Sequence, residues 1–291
     1  MKQIYISLKD AIKTIFGCER TISSRQYVSG GDINEASVLT LDDGNVLFMK
    51  SNSGQSLSNF EAEAAGLDAI RGTGAIGVPE VLGLGTDGSA SFLLLEYISS
   101  ERQINNYWET FAAELAAMHQ ADIGEYYGFP KDNWIGSRKQ INTFCHSWIT
   151  FFRDFRLKPQ FDAAGQYLSL KERKQTEWLL DHLDQYLTEP KRPSLVHGDL
   201  WAGNMITGND GKGWLIDPAV YYGHPETDLA MTELFGGFPG KFYDAYKTFG
   251  CLQPGYEDRR DLYNLYHLLN HLNIFGSSYL GAVLRILKRY G

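Results

Sequence analysis

The sequence predicts an α+β fold of two lobes: a small antiparallel-sheet N-terminal lobe carrying helices, and a larger, mainly helical C-terminal lobe. Short strand patterns separated by Gly-, Asp- and Asn-rich turns fill the chain from Gln26 to Ile98. Helical periodicity dominates from Asn106 onwards, and a hairpin of short strands flanked by acids interrupts it between Leu195 and Asp228. At 291 residues, with 43% hydrophobic and 21% charged, the chain can bury the cores of two ordinary globular lobes. The boundary is expected at the end of the last N-terminal strand, giving lobes of residues 1–97 and 98–291.

Ile6, Leu8, Ile12, Ile15 and Phe16 stand at helical spacing and predict an opening amphipathic helix. Strands are expected at Gln26–Val28, Ala36–Leu41 and Val46–Met49, the last ending at Lys50. Gly30-Gly31 makes the first turn and Asp42-Asp43-Gly44-Asn45 the second. A Gly-rich turn can present backbone N–H groups to phosphates, and a lysine at a strand end can join them. The bland alternative for Lys50 is solvated surface. Phe60–Arg71 reads as a helix with Phe60, Ala64, Leu67 and Ile70 along one face. Glu63 shares the inward side and is the expected partner of Lys50, with Glu61 as its competitor. Gly83–Gly88 matches G-x-G-x-x-G, but a strand follows where a dinucleotide fingerprint needs a helix, so a hairpin turn is expected. That strand runs out at Glu96-Tyr97-Ile98, where a hinge between lobes would read a nucleobase edge through its backbone.

In the C-terminal part, Tyr107–Gln120 is expected to be helical, with Phe111, Leu115 and Met118 on one face and His119 as a core or interlobe histidine rather than a catalytic one. A loop at Asn133–Gly136 precedes an aromatic-rich helix carrying Phe144, Trp148, Phe151, Phe152 and Phe155. A helix at Leu170–Leu187 is closed by Pro190 and Pro193. Ser194–Val196 then enters the turn His197-Gly198-Asp199, and Met205–Thr207 and Trp214–Ile216 form a hairpin. Its register is expected to place Asn204 and Asp217 at the ends of paired strands, on the same edge as Asp199. Asp228 opens an apolar helix, where it can cap the helix or brace the acid-bearing turn, with His197 also in support. His267 and His271 lie one helical turn apart but lack a third ligand, so they read as structural rather than zinc-binding.

Asp199 and Asn204 repeat the spacing of the catalytic loop H-R-D-x-x-x-x-N, and Asp217 stands where a metal-binding aspartate follows on a later strand end. Phosphoryl transfer needs a carboxylate to take the hydroxyl proton and oxygen ligands to hold Mg²⁺ against the nucleotide phosphates. The pattern therefore points to a two-lobed protein-kinase-like fold using ATP and Mg²⁺. Asp199 is the candidate base, and Asn204 and Asp217 the metal ligands. Gly30, Gly31, Lys50, Glu63, Glu96, Tyr97 and Ile98 are the candidate nucleotide contacts. A net charge of −8 argues against a nucleic-acid partner, and no apolar run is long enough to span a bilayer. Cys18, Cys145 and Cys251 are odd in number and scattered, as expected of reduced thiols in a cytoplasmic protein. The acid-containing N-terminus is not expected to be a signal peptide. The chain is expected to be a monomer or homodimer.

Several stretches are more particular: HGDLWAGN (His197–Asn204), DPAVYYGH-x-E-x-DLAM (Asp217–Met231) and LFGGF (Leu234–Phe238). SGGDINEA (Ser29–Ala36), DNWIG (Asp132–Gly136), RLKPQ (Arg156–Gln160) and YLGAVLRILKRY (Tyr279–Tyr290) join them. On these the chain resembles, over essentially its whole length, the fructosamine kinase family, a branch of the aminoglycoside-phosphotransferase-like kinases. The resemblance implies ATP-dependent phosphorylation of the sugar 3-hydroxyl of a ketosamine, either a small molecule or a glycated protein lysine. The phosphorylated adduct then falls apart, so the implied role is deglycation repair. It also implies that Trp201, Tyr222, His224 and Glu226 face the sugar-amine. Some members carry a cysteine where this chain has Asp32, so a redox switch there is not expected. The alternatives are an aminoglycoside-, choline- or homoserine-type kinase of the same fold, and a pseudokinase that only binds nucleotide. The last would need to lack Lys50, Asp199 or Asp217, and all three are present.

Overall fold

The computed structural model describes residues 3–28, 34–53 and 57–291, and the expected Gly30-Gly31 turn lies outside them. Two compact units are formed, Met1–Tyr107 with Met205–Asp217, and Trp108–Asn204 with Pro218–Gly291. As expected, sheet dominates the first and helix the second.

The first unit opens with β1 (Ile4–Tyr5), α1 (Leu8–Phe16), β2 (Ile22–Val28), β3 (Glu35–Leu41) and β4 (Val46–Asn52). It continues through α2 (Leu57–Gly72), β5 (Val81–Asp87) and β6 (Ala90–Glu96). Among the described residues these strands form one sheet in the order β1-β5-β6-β4-β3-β2, antiparallel except for the β1–β5 pair. The Ser7 hydroxyl caps α1 by accepting from the Asp10 amide, and Gly17 ends the helix at a φ of 70°. Side chains alternate across a strand. Leu47 and Met49 therefore join Leu39, Phe92, Leu94 and the α1 residues Ala11 and Ile12 in one buried cluster. Phe48 and Lys50 fall on the opposite face.

Two local expectations need correction. Lys50 lies within β4 rather than at its end, because Ser51 and Asn52 still find partners in both neighbouring strands or in β6. Gly83 and Gly85 are strand residues, and the turn is confined to Gly88-Ser89. The reason is close packing: a Cβ on Gly85 would stand 2.1 Å from the Tyr5 carbonyl oxygen, so β1 can pass only over glycine.

The chain next forms α3 (Tyr107–His119), β7 (Asn133–Ile135) and β8 (Arg138–Gln140). The expected loop at Asn133–Gly136 is thus a hairpin turned at Gly136, whose φ is 61°. Its strands are too short to show alternation in sequence. α4 (Trp148–Phe152) runs through a π-helical turn at Arg153–Leu157 into α5 (Lys158–Ala163). Phe144 precedes this helix and is 49% exposed, whereas Trp148, Phe151 and Phe152 are core. α6 (Leu170–Asp181) starts with a Ser169–Glu172 capping box, and β9 (Ser194–Val196) follows.

β10 (Met205–Thr207) and β11 (Gly213–Leu215) pair as a hairpin with Met205 opposite Leu215. It belongs to the first unit, where the Leu215 amide donates to the Gly77 carbonyl at 2.9 Å and the Ile104 amide to that of Gly211 at 3.1 Å. β12 (Tyr221–Gly223), unforeseen in the sequence, pairs antiparallel with β9. α7 (Glu226–Leu234), α8 (Gly240–Lys247), α9 (Tyr256–Phe275) and α10 (Leu280–Tyr290) complete the second unit. Trp148 is central to its core, ringed by Phe152, Tyr221, His224 and Tyr263. Among the described residues no helix is long and apolar enough to cross a membrane.

Candidate active site

In the first unit, β4 and α2 hold a buried ionic cluster. Phe60, Leu67 and Ile70 are buried on α2, and Glu63 shares their side at helical spacing. Lys50 Nζ donates to Glu63 Oε1 at 2.6 Å and also to Asp217 Oδ1. Glu63, not Glu61, is therefore the lysine's helical partner. Burial opposes the charge on Lys50, yet the carboxylates of Asp217 and Glu63 outweigh it and hold the lysine above its ordinary range. Burial also raises the Glu63 carboxyl, against the attraction of Lys50 and with the repulsion of Asp217. One ammonium thus serves two acids.

Asp217 follows β11 and has φ of 55°, the one left-handed non-glycine among the described residues. Aspartate tolerates that region better than most residues, although it still carries strain. Its side chain is 41% exposed, and with Oδ1 held by Lys50 its second oxygen is the one a cation could meet.

In the second unit, β9 delivers the His197-Gly198-Asp199 turn. Gly198 has φ of 83°, and a Cβ there would stand 2.1 Å from the Ala219 carbonyl oxygen. Only glycine lets the turn pass this segment. Asp228, inside the first turn of α7 rather than at its cap, accepts the amides of His197 at 2.6 Å and Gly198 at 2.9 Å. It also faces His119 Nε2 at 3.1 Å, while His119 Nδ1 lies 2.5 Å from the Tyr246 hydroxyl. Burial alone would raise Asp228, but the His119 hydrogen bond, the nearby imidazoles and the Gly198 amide bring it below the usual carboxylate range. His119 is a core residue, as its setting in sequence suggests.

Beyond the turn, Asp199 is partly exposed and Asn204 buried. Asn204 Nδ2 donates to the Asp199 carbonyl at 2.8 Å and to Asp199 Oδ2 at 3.0 Å. With its nitrogen so engaged, the amide oxygen is the atom that Asn204 can offer a cation. The Asp199 amide lies 3.3 Å from His197 Nδ1.

The four residues expected at the acceptor separate into two kinds. Trp201 is 38% exposed with its edge against Phe235, and Tyr222 is partly exposed against Phe129. His224 and Glu226 are fully buried. Glu226 accepts from Arg259 Nε at 2.8 Å, Arg259 Nη2 at 2.7 Å and the Gln253 amide at 3.0 Å. Burial, with the charges of Arg259 and His119, lowers His224 to about 3, so its imidazole is neutral. These two side chains are interior braces for the start of α7, out of reach of an acceptor.

Sequence reading missed the polar network behind β12. Gln140 Nε2 donates to the Ala219 carbonyl at 3.0 Å and to Asn133 Oδ1 at 2.8 Å, and Asn133 Nδ2 donates to the Val220 carbonyl at 2.7 Å. The Tyr266 hydroxyl donates to Gln140 Oε1 at 2.6 Å, and buried Arg156 reaches Asn142 Oδ1 at 2.6 Å and stacks over the Tyr221 ring at 4.0 Å. The stretches DNWIG and RLKPQ carry this network, but their partners lie far off in sequence.

At the other expected nucleotide contact, the chain leaves β6 after Glu96, so the peptide groups of Tyr97 and Ile98 stand outside the ladder. Among the described residues no group of three or more His, Cys, Asp or Glu side chains is arranged to hold a metal. Mg²⁺ needs no such cage, since one or two carboxylates with substrate phosphates can hold it.

The fructosamine kinase family model matches residues 5–290. A probable ketoamine kinase of Synechocystis is 40% identical over 274 residues, covering 92% of this chain and 90% of its own. The chloroplastic protein-ribulosamine 3-kinase of Oryza sativa subsp. indica is 38% identical over 277 residues, covering 92% and 79%. A crystal structure assigned as a fructosamine-3-kinase from Haemophilus somnus superimposes with a TM-score of 0.88 at 30% identity, covering 98% of this chain and 96% of the other.

Proposed function

The chain belongs to the fructosamine kinase family, and on that premise we propose that it transfers the γ-phosphoryl group of ATP to the sugar 3-hydroxyl of ketosamines. The acceptor class covers fructosamines and ribulosamines, as free adducts or on protein lysines, and the reaction serves to remove them.

The observation that carries the reading is the Asp199 carboxylate, partly exposed, fixed by Asn204 at 3.0 Å and presented by a turn whose amides Asp228 holds. Asp199 accepts the proton of the acceptor hydroxyl as the hydroxyl oxygen bonds to the γ-phosphorus and the bond to ADP breaks. Lys50, held charged by Glu63 and Asp217, serves the nucleotide phosphates, and the peptide groups of Tyr97 and Ile98 serve the base. Mg²⁺, held by Asp217 and Asn204, would neutralise phosphate charge when bound. Trp201 and Tyr222 offer ring surface to the sugar-amine.

An assay with ATP, Mg²⁺ and ribulose-lysine, fructose-lysine or an aminoglycoside as acceptor tests this. Phosphate on a ketosamine 3-hydroxyl is the expected product. Transfer to the aminoglycoside alone would replace the acceptor class while keeping the kinase.

A further inference from the structure

Behind the His197-Gly198-Asp199 turn the hydrogen bonds run on past Asp228. His119 closes α3, and its ring stands edge-on to that of Tyr246 in α8, with centroids 5.9 Å apart. Asp228, His119 and Tyr246 are all buried, so their polar atoms have to be satisfied within the protein.

Donors and acceptors fix the direction of the bonds. Asp228, held below the usual carboxylate range, offers only acceptor oxygens. His119 Nε2, 3.1 Å from Asp228 Oδ2, therefore carries hydrogen and donates. A ring with its one hydrogen on Nε2 has a bare Nδ1. The Tyr246 phenol, raised well above its ordinary value chiefly by burial, keeps a hydrogen to give to it. At 2.5 Å this is the shorter of the ring's two bonds, so α8 holds the imidazole more firmly than Asp228 does. The ring in turn sets Asp228, because the oxygen it meets, Oδ2, also takes the His197 amide at 2.6 Å. His197 stands two residues before Asp199.

We propose that Tyr246 is a positioning residue for phosphoryl transfer: its hydroxyl donates to His119 Nδ1 and so fixes, through the ring and Asp228, the turn that presents Asp199. This rests on Asp199 as the base and deepens that reading. Tyr246 is fully buried and acts only through the imidazole. Hydrogen bonds in such a chain polarise one another, and loss of the outermost donor weakens the bonds beyond it.

Tyr246→Phe tests this, since it removes the donor and keeps the ring that stacks on Phe242 at 6.0 Å. With ribulose-lysine as acceptor, kcat per ATP-binding site is expected to fall about tenfold, with KM for ATP and for acceptor unmoved. Counting ATP-binding sites leaves misfolded material out of the rate. In an Asp228→Asn background the same substitution should cost about twofold or less, because the path is already cut. A tyrosine that merely packs would cost the same in both backgrounds. Nitrogen NMR of the imidazole, assigned by its loss in His119→Gln, should show hydrogen on Nε2 and a bare Nδ1 whose resonance moves in Tyr246→Phe. Parental kcat in Tyr246→Phe, an equal loss in both backgrounds, or hydrogen on Nδ1 in the parent overturns the assignment. Any of these in an active parent removes this inference alone. A parent that phosphorylates no ketosamine removes the proposed reaction with it.

Discussion

Lys50 donates to Glu63 Oε1 at 2.6 Å while also holding Asp217, so one buried ammonium ties β4 and α2 to the residue that follows β11. Removing the lysine leaves two acids facing each other with no counter-charge. Lys50→Met is expected to cost about 3 kcal/mol of stability in urea unfolding. Glu63→Gln should cost less, since the amide oxygen can still accept. In a double-mutant cycle the combined variant should fall short of the sum. Strict additivity would show that the pair is not coupled in solution.

Asp228 supports the HGD turn through two backbone amides. Asp228→Asn replaces one acceptor oxygen by an NH₂ that must face an amide hydrogen, so kcat should fall at least tenfold with nucleotide affinity nearly unchanged. The pH dependence has a definite sign. The folded carboxyl lies below its ordinary value of 3.8, so its stabilisation is fully present above that value and is lost as pH falls through the lower, folded one. The acid limb of the stability curve should therefore be shallower in Asp228→Asn than in the parent chain. Coincident limbs would remove Asp228 from the account of acid lability.

Glu226 and Trp201 separate an interior brace from an acceptor contact. Glu226→Gln breaks a bidentate pair with Arg259 and is expected to lose about 3 kcal/mol of stability. In the protein that remains folded, acceptor KM should be little changed. Trp201→Ala should leave the melting temperature within a few degrees and raise acceptor KM by about tenfold, with the KM for ATP unmoved. If the two variants exchanged these signatures, the division would be wrong.

What could be read in advance follows from the range of the interactions. The Lys50–Glu63 pair was legible because strand alternation and helical spacing each fix one side chain, and both elements are long. The fold class was legible for the same reason, and the structural likeness bears it out. β7, β8 and β12 were not, since three-residue strands leave too few positions for a period. Nor was the fate of Glu226, whose partner Arg259 lies 33 residues on, in α9. A polar residue in a family-like stretch looks the same in sequence whether it meets a ligand or a buried arginine. Gly83 and Gly85 misled in the other direction, being demanded by the passage of Tyr5 rather than by a turn.

The central claim is that Asp199 takes the proton of a ketosamine hydroxyl. The most direct measurement follows ATP-dependent phosphorylation of ribulose-lysine by phosphorus NMR, with the parent chain and Asp199→Asn side by side. The parent is expected to give a 3-phosphate, and the variant, which should still bind ATP, a rate lower by about a thousandfold or more. Near-parental turnover by Asp199→Asn, or no phosphate on any ketosamine from the parent, would contradict it.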